Sequence, residues 1–209
     1  WDEIKEIHLS GIGVIGNHSD SHEYLVDRNK NEIIEDIRKS KAIFKKNLGS
    51  NSIFFSYPFG EYSLEFKKIV KDLNFKFAFG QHSGVIDETK DNLEYPRFPI
   101  NEKYGKLDRF STILKTIPLK YEYIEPQEMY INKNQNPPKV KIKFLDIYKN
   151  INAINCFSNE QDKWRNSKIS FKDKNLLEVN LDGKFTTERG RINCSLREGK
   201  FFRWLGIQF

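Results

Sequence analysis

From Trp1 to Gly84 the apolar positions alternate between a helical and a strand period. Trp1, Ile4 and His8 share one helical face that stops at Gly11, and "GVIGN" then supplies a short apolar strand of Val14 and Ile15. Between Asn31 and Leu48 the residues Ile33, Ile37, Phe44 and Leu48, with Ile34 beside them, form the apolar stripe of an amphipathic helix closed by Gly49. "SIFFSYPFG" reads as a buried aromatic strand broken by Pro58 and Gly60, "SLEFKKIVKDLN" as a third helix and "FKFAFGQHSG" as a third strand. Strand and helix repeating with short links predicts parallel strands with helices outside them, and such folds bind ligands at the carboxyl ends of the strands. His18 and His22, then Tyr57 to Gly60, then His82, Ser83 and Gly84 fall at those ends. His8, on the apolar side of its helix, is expected to pack in the core.

After about residue 117 the pattern changes to short alternating stretches, "KVKIKFLDI", "KISF", "LLEVNL", "RINCSL" and "FFRWLGIQF", separated by turn signals at "NQNPP", "LDGK" and "REGK". This predicts an antiparallel β-sandwich over 118–209 behind an α/β domain over 1–117, with Pro137 and Pro138 in a connection because proline interrupts strand pairing. Trp164, Phe201, Phe202 and Trp204 are expected in its core, a sugar-stacking platform being the alternative. The two cysteines, Cys156 and Cys194, both lie in strand-like stretches; a disulfide and two separate buried thiols are equally compatible with that placement. If they are bonded, Trp204 is expected to pack on the bridge.

Composition narrows the possible partners. The 209 residues are 38% hydrophobic and 14% aromatic, enough for globular folding, and 31% charged with a formal net charge of +6. A basic chain with pI near 9.1 suits a polyanion. The lysines, however, are interspersed with acids, as in "NEIIEDIRKSKAIFKKN", which is a solvated helix face and not a basic stripe, so no nucleic-acid partner is expected. No apolar run approaches the roughly 20 residues of a membrane span. A chain opening at Trp1 inside a helix, without an initiator methionine or signal peptide, is expected to be a piece of a longer precursor.

The chemistry concentrates in "NHSDSHEY", where His18 and His22 stand four residues apart. That spacing lets a tight loop or one helical turn aim both rings at a single divalent ion, and small hydroxyl neighbours can hold the rings through outer hydrogen bonds. A zinc-protease helix requires glutamate directly after the first histidine; Ser19 stands there. A catalytic zinc also takes a third protein ligand and keeps a position for water. Asp20 would have to turn between the rings and Glu23 adjoins His22, so the third ligand is expected from an earlier strand.

"GNHSDSH" resembles the second motif of the NodB-like polysaccharide deacetylases, carbohydrate esterase family four, and "SYPFGEYS" resembles their third motif in the variant of the periplasmic poly-N-acetylglucosamine enzymes. The resemblance implies part of a distorted (β/α) barrel, the C-terminal part with its first strands missing, followed by the β-sandwich, and a metal-dependent hydrolase that removes acetyl groups from an N-acetylated polysaccharide in the bacterial envelope. It implies His18 and His22 as ligands of a divalent metal, zinc before nickel, cobalt or iron, and the Phe59 backbone N–H as an oxyanion donor. Tyr57 and Pro58 would line the substrate groove. The base and the remaining ligand would lie on a strand before residue 1, and Ser56 stands where many members carry arginine. His82 is the candidate acid for the leaving amine, with a loop histidine that touches sugar hydroxyls as the alternative. Arg97, between Pro96 and Pro99, would orient a carboxylate or bind substrate. The rival function is a carbohydrate-binding protein in which these motifs are relics.

Overall fold

In a computed structural model the described residues are 1–145, 147–187 and 189–209, and they form two compact units, 1–80 with 88–95 and 81–87 with 96–209. Residue 117, where the sequence period changes, lies inside the second unit.

The first unit is a parallel row. Strand β1 (Phe54–Ser56) pairs in parallel with β2 (Phe77–Phe79), and single parallel bridges extend the row on both sides, Asn17 to Phe55 and Phe79 to Tyr95. Spatial order thus follows chain order. Helix α1 (Asp2–Ser10) precedes the row, while α2 (Lys30–Leu48) and α3 (Leu64–Asp72) form its crossovers. The α2 start is set by a capping box: the Asn29 side chain accepts from Asn31 N and Glu32 N, and the Glu32 carboxylate accepts from Asn29 N. Gly49 ends the helix in the left-handed region, at φ 76°. Ile33, Ile37, Ser40 and Phe44 recur at helical spacing and are buried; Ile33 and Ile37 join Phe55, Tyr57, Phe66, Ile69, Val70 and Ala78 in one core.

Two expectations change here, at Val14 and Ile15 and at His8, while the partial barrel is met only as far as an open α/β row. No barrel closes among the described residues: the unit is an open row of parallel segments, short of the eight strands that closure takes. Val14 and Ile15 form no strand, because Asn17 alone of that segment bonds to its neighbour, donating to Phe54 O and accepting from Ser56 N; Val14 is 77% exposed. Helix α1 buries no residue, so His8 is only half-buried and is not a core group.

The second unit opens with α4 (Leu107–Leu114) and continues as β3 (Thr116–Pro118), β4 (Tyr121–Glu125), β5 (Val140–Phe144), β6 (Asn155–Ser158), β7 (Arg165–Asn166), β8 (Lys168–Asp173), β9 (Leu176–Asn180), β10 (Arg191–Glu198) and β11 (Phe201–Gln208). Two sheets result, in the orders β3-β11-β10-β6-β7 and β4-β5-β9-β8. Alternation decides which side chains face inward: along β5 residues Val140, Ile142 and Phe144 are buried, and along β10 residues Ile192, Cys194 and Leu196. These inner residues from both sheets share one hydrophobic cluster.

Cys156 and Cys194 sit directly opposite each other in the antiparallel pair β6–β10 and are disulfide-bonded inside that cluster. Trp204 pairs with Ser195, one residue out of step with Cys194, and therefore lies on the other face of the sheet. It packs edge-on against Phe98 at 5.8 Å between ring centres instead of on the disulfide. Trp164 and Phe201 are exposed, at 55% and 38%, so these aromatics are not a single core set. On the outer face at Gly206 a Cβ would stand 2.0 Å from the Ser83 carbonyl oxygen, so the close approach of the 81–87 segment to β11 requires glycine there.

Candidate metal-binding loop

Asn17, the last residue of the parallel row before the loop, builds that loop from its buried side chain. Its Oδ1 accepts from Ser19 N at 3.1 Å and from the Ser40 hydroxyl on α2 at 2.9 Å. One turn earlier on α2, Asp36 clamps the next two amides: Oδ1 accepts from Asp20 N at 2.9 Å and Oδ2 from Ser21 N at 3.0 Å. Lys39 pairs with the Asp20 carboxylate at 2.5 Å, and that hydrogen bond raises the lysine pKa. Positions 36, 39 and 40 share a helical face, so one crossover helix braces the whole loop. The Ser19 hydroxyl then accepts from His22 N at 3.0 Å.

This bracing holds two residues in unfavourable backbone: Ser19 at φ 69° and His22 at φ 53°. The consequence is convergence. The rings of His18 and His22 lie 4.8 Å apart between centres at an interplanar angle of 74°, both on exposed residues. Two imidazoles on one tetrahedral zinc, each with Zn–N of about 2.0–2.1 Å, place their ring centres about 5 Å apart, so the observed spacing fits. His18 Nδ1 lies 2.7 Å from the Ser56 carbonyl, an acceptor only, which favours the neutral tautomer protonated at Nδ1.

Phe59 completes the group. It occupies the left-handed region at φ 57°, within a turn whose bonds run from Gly60 N to Tyr57 O and from Glu61 N to Pro58 O. Its ring lies 4.8 Å from that of His22 and 5.2 Å from that of Tyr24. Three non-glycine residues in strained backbone thus meet at the carboxyl ends of the row. Tyr57, expected to line a groove, is fully buried: its hydroxyl donates to Leu93 O at 2.9 Å and its ring packs against Phe55, Tyr62 and Phe66. Burial pushes its pKa well up. Tyr57 fixes the position of the turn and has no exposed ring surface for a sugar; Pro58 is buried beside it.

The other candidates lie in the second unit. Arg97 N donates to His82 O at 3.0 Å, which joins those two segments. Arg97 is half-buried, and desolvation lowers its pKa. Neither carboxylate of the loop is aimed at the histidines, since Asp20 is held by Lys39 and Glu23 by Arg28 at 2.6 Å. Among the described residues no group of three or more His, Cys, Asp or Glu could hold a metal ion. Asp36, Lys39 and Ser40 were not singled out from the sequence. The available signal was Ser40, a hydroxyl in phase with Ile33 and Ile37 on the buried stripe.

A single helical carboxylate accepting two loop amides is replaceable only at a cost. Asp36→Asn offers one oxygen to two N–H donors and sets its own NH2 against the second. Zinc affinity is expected to fall between about three- and tenfold, as one hydrogen bond of roughly 1 kcal/mol is lost, while circular dichroism stays unchanged. Unaltered zinc affinity would show that the clamp does not position the loop.

The class defined by this architecture is a mixed α/β protein whose histidine loop and Phe59 turn stand at the carboxyl ends of parallel segments. Residues 1–78, which include every residue of the loop and its bracing helix, match the family model described as polysaccharide deacetylase. No match to a curated protein is found. Similar solved structures include the Streptococcus pyogenes deacetylase PplD in complex with acetate, at 23% identity over 49% of this chain and 45% of that one, with a TM-score of 0.45. IcaB from Ammonifex degensii is 23% identical over 49% of this chain and 48% of that one, with a TM-score of 0.40. A polysaccharide deacetylase from Bacillus cereus is 25% identical over 55% of this chain and 36% of that one, with a TM-score of 0.49. The chain spans less than half the length of each of these structures.

Proposed function

We propose that this chain is part of a metal-dependent deacetylase that hydrolyses acetyl groups from an N-acetylated polysaccharide, poly-N-acetylglucosamine-like, of the bacterial envelope. The observation that carries the reading is the convergence of the His18 and His22 rings beside Phe59, within the segment that matches the deacetylase family. In this reading the parallel row is a section of a distorted barrel, and the two sheets of the second unit are the sandwich that follows it.

His18 and His22 would hold the ion, preferably zinc, through unprotonated ring nitrogens. The residues present fit the two-imidazole part of such a site, and a further ligand and the general base come from outside the described residues. Bound there, a divalent ion supplies Lewis acidity and a water of lowered pKa. The chain's own contributions are positional. The Ser56 carbonyl fixes the His18 tautomer, Asp36 and Asn17 fix the loop, and Tyr57 fixes the Phe59 turn whose backbone N–H is the proposed oxyanion donor. His82 is proposed to protonate the leaving amine, and Arg97, bonded to its backbone, to bind substrate.

The direct assay is acetate release from a β-linked N-acetylglucosamine hexamer by the zinc-loaded full-length precursor, which would carry the base and the further ligand that the described residues lack. Release that stops on chelation and returns with zinc is expected. A hexamer left intact by the loaded protein would favour the rival carbohydrate-binding function.

A further inference from the structure

The second unit carries a surface that the proposed chemistry does not use. Strand alternation puts Asn155 and Phe157 of β6, Asn193 and Ser195 of β10 and Asn166 of β7 on the outer face of the five-stranded sheet, because their neighbours Cys156, Ser158, Ile192, Cys194 and Leu196 are buried on the inner face. Register makes these five residues one block. Phe157 lies between Asn193 and Asn166, and Asn155 lies opposite Ser195.

Two properties distinguish the block. It is uncharged, although 31% of the chain is charged, and its polar groups are largely unused: among the described residues the side chains of Asn193, Ser195 and Asn166 make no hydrogen bond, and Asn155 makes one long bond of 3.4 Å to Ala153 O. Phe157 at the centre is 41% exposed. An open aromatic ring surrounded by three carboxamides and a hydroxyl complements a neutral sugar, whose apolar ring face stacks on the aromatic while its hydroxyl and acetamido groups bond to the amides. A polyanion would require lysine or arginine at these positions, and an apolar protein partner would leave the amides unpaired.

The block is also continuous with the segment that carries His82. Asn193 pairs with Gly206 on its other side, and Ser83 packs directly on Gly206. Along β10 this face runs about 20 Å from Arg191 to Arg197, with an arginine at each end and the uncharged block between them.

We propose that this face is a docking platform for the glycan chain, with Phe157 as the stacking centre and Asn193 as its principal hydrogen-bonding partner. The identity of the ligand as a glycan rests on the proposed function; the platform itself rests on the sheet.

The test is calorimetric titration with a β-linked N-acetylglucosamine hexamer and with the N-acetylglucosamine monosaccharide. Phe157→Ala and Asn193→Ala are each expected to weaken hexamer binding by about three- to tenfold, with zinc affinity and thermal unfolding unchanged. His18→Ala should behave in reverse, losing zinc while keeping hexamer affinity, so that failure of the platform and failure of the metal reading give different patterns. The proposal is overturned if the wild-type protein binds the hexamer no better than the monosaccharide. It is equally overturned if both platform variants bind the hexamer like wild type, or if Phe157→Ala instead dissociates a dimer in sedimentation.

Discussion

Replacement of His18 or His22 by alanine is expected to lower zinc affinity at least about a hundredfold, with little change in stability. The asymmetry follows from where the rings are. Both residues are exposed, so truncation removes no buried apolar area, and ordinary surface substitutions stay within about 0.5 kcal/mol. Each ring, however, is one of the two adjacent imidazoles proposed to hold the ion, and changes to outer-shell partners of a metal site already cost about 10- to 100-fold. His18 has a second consequence: its Nδ1–H is bonded to the Ser56 carbonyl, so His18→Ala also frees the end of β1 beside the Phe59 turn. Competition with a chromophoric chelator gives the affinity, and chemical denaturation gives the stability. Equal affinities in wild type and both variants would mean that the rings are merely loop residues.

The largest effect on stability is expected from the disulfide. Cys156 and Cys194 are separated by 38 positions, and loop-closure entropy assigns about 3–4 kcal/mol to a cross-link of that span. Both cysteines are buried, at 2% and 0% exposure, in the cluster shared by the two sheets, so the paired Cys→Ala change also removes two sulfur atoms from a filled core. The double variant should therefore unfold its second unit at lower denaturant, with Trp164 and Trp204 as fluorescent reporters in that unit. Residues 1–78 lie wholly in the first unit, so zinc binding should persist under conditions where the second unit has unfolded. A loss below about 1 kcal/mol would mean that the reduced chain is already constrained without the bridge.

Periodicity made the helices legible. The α2 stripe at Ile33, Ile37 and Phe44, its Gly49 stop and the presence of α3 within "SLEFKKIVKDLN" follow from the sequence alone, because burial on one side of a helix leaves a repeating mark. The adjacency of the two histidine rings was suggested by their four-residue spacing, which lets a tight loop bring both side chains together. Tyr57 was misplaced because strand alternation tells which residues share a face but not which face is covered. The same ambiguity put Trp204 on the disulfide, although its register with Ser195 puts it on the opposite side. Asp36 was hidden by its chemistry. A carboxylate on a charged helix looks like solvated surface until the loop it clamps is folded over it.

The central claim is that the imidazoles at positions 18 and 22 share one ion, and X-ray absorption at the zinc edge of the zinc-loaded protein tests it most directly. The account predicts two imidazole nitrogens in the first shell at about 2.0–2.1 Å, reduced to one in His18→Ala and in His22→Ala. A shell without imidazole scattering, or one unchanged by both substitutions, would contradict it.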